Sequence, residues 1–140
     1  MRPRATEGQP SIAMIRDEAR RQILSMAVDD AFGLWELCWT LEACFPEMPR
    51  PALLKIVQEA LYGLVAAGLV AVEIDDPAAG SVQQTLDEVA RIIAEERWWE
   101  LPAEPSAPRV VFLATPAGER AYLGREATAS PRAASIGGGA

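Results

Sequence analysis

The sequence predicts one α+β domain, mostly helical, on three observations. Its 140 residues are half apolar and 24% charged, enough to fill a single hydrophobic core and too apolar for a disordered chain. Apolar residues recur at three-and-four spacing through four segments, the period of an amphipathic helix. Two short segments are instead rich in β-branched residues, LVAVEI at 69–74 and RVVFLA at 109–114, and read as strands.

The ends of the chain, RATEGQP and EATASPRAASIGGGA, hold mostly Ala, Ser, Gly and Pro with nothing periodic to bury. Disordered tails are therefore expected over 1–11 and 124–140, around a domain at 12–123. From Ile12, the residues Ile15, Ala19, Ile23, Met26 and Ala27 make one face of a first helix that ends near Asp29, with Arg16, Arg20 and Arg21 opposite. Those arginines interleave with Asp17 and Glu18 and read as a solvated face laced with local ion pairs. Leu34, Leu37, Cys38, Leu41 and Phe45 form a second stripe, closed by Pro46. A third helix opens at Pro51 and runs through Leu53, Leu54, Val57, Leu61, Leu64 and Val65 to Gly68. The first strand follows, and DDPAAG ends it as turn material. Ser81, three before Gln84, gives a capping-box signature for a fourth helix that carries Val82, Leu86, Val89 and Ile93 to about Arg97. A proline-broken connector leads to the second strand, and Thr115 with Pro116 starts a short last helix.

This order of three helices and two strands that would pair antiparallel resembles the winged-helix variant of the helix-turn-helix, with Phe32 to Leu34 positioned for its short first strand. LATPAGERAY, 113–122, looks like the leucine-x-threonine-x-x-glycine ending of bacterial winged-helix regulators, whose threonine caps a terminal helix. LLKIVQEALYGLVAAGLVAVE is similar to their third helix running into the wing, with Gly68 at the bend. The resemblance spans Ile12 to Leu123 and implies a winged helix-turn-helix with an extra helix inserted between the two wing strands, over 75–108. It also implies self-association through the first and last helices, and DNA as a partner.

The composition argues against the DNA partner. The whole chain carries −7, and residues 12–123 hold nine basic against eighteen acidic side chains, or −9. Nucleic-acid binders usually display the opposite sign. The third helix offers Lys55 and Gln58, with Arg50 just before it, and the insertion adds arginines such as Arg91 and Arg109 that could reach phosphates. These five residues are the candidate DNA contacts.

No histidine is present, so His-based triads are impossible and a zinc site would lack half its usual ligands. The pairs Asp29–Asp30 and Asp75–Asp76 fall at element ends, where acidic residues cap or solvate. Cys38 and Cys44 lie six apart on one helix, too far for a disulfide. No catalytic, metal or cofactor site is expected. The polar start and the lack of a long uncharged apolar run predict a cytoplasmic protein. Four of the nine aromatic residues are tryptophans. Trp35 and Trp39 are either core between the first two helices or partner anchors, and of the adjacent Trp98 and Trp99 one is expected at a surface, groove or dimer seam. These four are the candidate protein interface. Two functions stay open: an acidic module that binds another protein in a regulatory or adaptor role, and a dimeric DNA-binding regulator.

Overall fold

The computed structural model describes the backbone of residues 11–129 and the side chains of 11–125. Ser11 Oγ accepts from the Met14 amide (3.1 Å) and starts α1, Ile12–Asp29. Ile15, Ala19, Ile23, Leu24 and Ala27 bury its inner face, and Arg16, Arg20 and Arg21 stand in solvent as the pattern requires. Arg21 pairs with Glu18, and Arg16 lies 3.9 Å from Glu59 of the third helix. A two-residue strand β1, Phe32–Gly33, leads straight into α2, Leu34–Cys44. Gly33 is required here because the Trp35 ring occupies the space a Cβ would take. After the turn at Pro46, α3 runs over Arg50–Ala66.

Gly68, at φ 78°, reverses the chain into β2, Val70–Asp76. β2 then turns back at once into β3, Gly80–Gln83, with Ile74 opposite Val82. Ser81 therefore stands in a strand and not at the start of a helix. Gly80 at φ 90° closes the turn, and the Ser81 hydroxyl donates to Asp75 (3.1 Å) across the hairpin. The capping box sits one turn later: Thr85 Oγ1 accepts from the Glu88 amide and the Glu88 carboxylate accepts from the Thr85 amide (2.8 Å). The fourth helix, α4, is correspondingly shorter, Leu86–Ile93. Trp98 and Trp99 fall beyond it on a 3₁₀ turn, Glu96–Trp99.

Strand β4, Arg109–Ala114, returns between β1 and β2, giving an antiparallel sheet of order β1-β4-β2-β3. Val70, Val72, Val110 and Phe112 alternate toward the helices and meet Ile23, Leu34, Leu41, Leu53 and Leu61 in one core. Helix α5, Pro116–Ala129, closes the chain against α1, where Ser25 Oγ and Tyr122 Oη stand 3.5 Å apart. It is longer than expected and runs through 124–129, which composition assigned to a tail, because the alanine-rich run after Leu123 continues a helix already nucleated. The expected tails over 1–10 and 130–140 lie outside the described residues. No helix among those described is long and apolar enough to cross a membrane.

One clamp joins the third helix, the sheet and the last helix. Thr115 donates its amide to Leu69 O (3.1 Å) and its hydroxyl to Gly68 O (2.6 Å), while the same hydroxyl oxygen accepts from the Gly118 amide (3.0 Å). A Cβ on residue 118 would collide with the Leu69 carbonyl. Thr115→Val should cost about 1–2 kcal/mol through loss of the cap, and Gly118→Ala about 1–3 kcal/mol through forced displacement, both read from urea unfolding midpoints.

Two carboxylates set an acid limb. The Arg21 side chain holds Glu18 below the ordinary 4.5, helped by Gln22, and the Thr85 amide does the same for Glu88. A carboxylate depressed in the folded state adds stability above its unfolded value, and that stability is lost as pH falls through the folded value. Unfolding midpoints should therefore drop as pH falls below 4.5, and the Glu18→Gln and Glu88→Gln pair should flatten that drop.

A candidate protein-binding cleft beside the third helix

Burial leaves α3 one exposed stripe, along Pro51, Ala52, Lys55, Glu59, Tyr62 and Ala66. One flank of the helix packs on α1 and the core. The other is covered by the inserted segment, with Val89, Ile92 and Ile93 of α4 buried. The Ile93 carbonyl fixes this cover. It accepts from the Gln58 amide group of α3 (2.6 Å) and from Trp99 Nε1 (2.9 Å), in place of the Arg97 N–H that a continuing helix would supply. Trp99 is 1% exposed and its indole nitrogen is satisfied, so it is a core residue that seats the insertion.

The cover decides where the candidate DNA contacts stand. Gln58 is turned into the protein and its amide is already used. Arg50 is paired with Glu42 at 3.2 Å. Lys55 is exposed on the narrow stripe beside Glu59, and Arg91 is exposed on α4. Arg109 lies at the start of β4 with its guanidinium 5.8 Å from the Trp35 ring centre, donating to Pro105 O (3.0 Å). The five are thus spread over α3, α4 and the start of β4, and three of them, Gln58, Arg50 and Arg109, spend their donors or charge within the protein.

The four tryptophans divide. Trp35 is buried over Gly33, and Trp99 is buried at the end of the insertion, so neither is an exposed anchor. Trp98 is half-buried with Arg97 stacked 4.5 Å from its centre, and its buried Nε1 has no acceptor among the described residues. Trp39 is 53% exposed. It points away from the core because the α2 stripe of Leu34, Leu37, Cys38 and Leu41 claims the inner face.

Trp39 forms one wall of a cleft of about 490 Å³ between α2, the first turn of α3 and the end of the insertion. Pro51, Leu54 and Trp99 line its interior, Leu101 (61% exposed) stands at its edge, and Arg50, Glu96 and Glu100 add the charged groups. Leu54 reads from sequence as core, and Glu96, Glu100 and Leu101 read as helix end and connector. No family model, curated protein or solved structure matches the chain.

The acidic pairs serve local structure. Asp30 accepts from the Ala31 amide (2.7 Å), Asp75 from Ser81, and Asp76 from the Ala78 amide (2.9 Å). Both cysteines are free and lie on α2, Cys38 buried and Cys44 exposed beside Phe45. Burial pushes the Cys38 thiol up to about 11, with Arg50 opposing and Glu42 adding to the rise. Because the thiolate is the reacting form, a disulfide thiol reagent at pH 8 should titrate Cys44 rapidly. Cys38 should react only when the chain is unfolded by denaturant, a two-step stoichiometry that Cys44→Ser reduces to the slow step.

Proposed function

We propose that this chain is a non-enzymatic, acidic winged-helix module that acts by binding another protein, in a regulatory or adaptor role. The winged-helix reading is supported by the sheet order β1-β4-β2, with a two-residue first strand at one edge and antiparallel partners on either side of β4. It is supported equally by the Thr115 clamp, which gives the leucine-x-threonine-x-x-glycine ending a physical reason. The wing carries an added strand as well as an added helix. We take its compartment to be the cytoplasm, where two unpaired cysteines stay reduced.

The observation that favours protein over DNA is the cover on α3. Reading a major groove takes a helix free to enter it, with donors near its start. Here Gln58 is spent on Ile93 O, Arg50 on Glu42, and the insertion rises along one side of the helix. Beside that cover lies a cleft with an exposed tryptophan, the type of side chain enriched at the centres of protein interfaces. The runner-up is a DNA-binding regulator acting as a dimer, for which the order of elements and the capped terminal helix speak.

Fluorescence anisotropy with labelled mixed-sequence duplex DNA separates the two. The module reading expects no saturable binding even at low salt. Affinity that falls steeply with salt and is lost in Arg50→Ala with Lys55→Ala would overturn it in favour of the regulator.

A further inference from the structure

We propose that the cleft beside α3 takes a cationic segment of a partner protein, anchored by an apolar side chain between Trp39 and Leu101. This rests on the interaction-module reading and adds the chemistry of the occupant. The cleft is preformed, since Leu54 and Trp99 are held by the core and not by the cleft's own rim, and its lining mixes these apolar groups with the charged Arg50, Glu96 and Glu100. Its two exposed apolar groups, Trp39 and Leu101, remain more than half accessible, which is unfavourable for large apolar side chains that line one open cleft. The volume suits a few side chains and is too small to seat a globular domain.

Charge selects among the segments that would fit. Glu96 and Glu100 stand exposed on the cleft and have no ion-pair partner among the described residues. The cation of the cleft, Arg50, is already matched by Glu42. The cleft therefore carries excess negative charge next to the face of an exposed indole, a combination that favours a lysine or arginine through both Coulomb attraction and the ring quadrupole. A second copy of this chain is a poorer occupant. It carries −7 overall and would bring like charge against the same carboxylates.

A fluorescein-labelled amphipathic peptide of leucine and lysine at helical spacing is the probe, with a counterpart in which every lysine is glutamate. Saturable binding of the lysine peptide is expected, with none of the glutamate peptide. Trp39→Ala, at an exposed position, should weaken it by at least about tenfold. Glu96→Gln with Glu100→Gln should weaken it about as much and reduce its salt dependence. Asp75→Asn with Asp76→Asn, which removes the same charge from the distant β2–β3 hairpin, should leave it within about twofold. Circular dichroism and unfolding midpoints of each variant establish that it is folded. Equal weakening by both carboxylate pairs, binding of the glutamate peptide, insensitivity to Trp39→Ala, or no binding at all would each overturn the proposal. Any of these together with absence of DNA binding leaves the interaction-module reading in place, whereas salt-sensitive DNA binding removes that reading itself.

Discussion

The carbonyl oxygen of Ile93 is where the molecule departs from a plain helix-and-sheet domain. A helix leaves its last carbonyls without backbone partners, and one of these carbonyls collects two side-chain donors, Gln58 from α3 and Trp99 from the 3₁₀ turn. That small polar junction sits among Val89, Ile92 and Ile93, where an unsatisfied acceptor would be costly. It gives the inserted segment a packing surface of its own and a fixed seat on α3. Without it, the residues between β3 and β4 would be a long loop with little to order them. This seat limits what α3 can offer a partner, because Gln58, one of its candidate DNA contacts, is the side chain that holds the insertion down.

A second junction sets the frame. Gly68 turns the chain from α3 into β2, and its carbonyl and that of Leu69 are taken up by Thr115 at the junction of β4 and α5. The middle of the chain is thereby tied to the start of its last helix by two hydrogen bonds, and residue 118 must be glycine for the helix start to approach so closely. The sheet inherits its register from the same place: Val70 lies opposite Ala114 and Val72 opposite Phe112, so the inward faces of both strands coincide.

Surface chemistry then follows from what these junctions expose. Several of the cations are occupied within the protein: Arg21 with Glu18, Arg50 with Glu42, Arg97 with Glu95 and the Trp98 ring, Arg109 with Trp35 and Pro105. The excess carboxylates are left facing solvent, and two of them border the cleft that Trp39 and Leu101 frame. The negative balance is thus a property of the accessible surface as well as of the composition, which is the property a binding partner meets.

Much of the fold was legible in the sequence because local periodicity and punctuation are strong signals over long elements. The stripes of α1 and α3, the run of β4 and the Thr115–Pro116 start of α5 all come from side-chain spacing and capping chemistry that act within a few residues. Reading failed where two local solutions competed. Ser81–Gln84 and Thr85–Glu88 both carry a capping signature, and the pairing of Val82 with Ile74 across a glycine turn gave the first segment to a strand. The fates of the tryptophans were not legible either, since Trp35 and Trp39 share a helix and Trp98 and Trp99 share a turn. By itself the sequence determined the order of elements, the apolar faces and the acidic balance, all set by local spacing and composition. Only the tertiary structure decided that Gln58 turns inward, that Trp99 is buried while Trp39 is left in the open, and that an acidic cleft forms between them. Those outcomes depend on contacts between segments far apart in the chain, which no local pattern encodes.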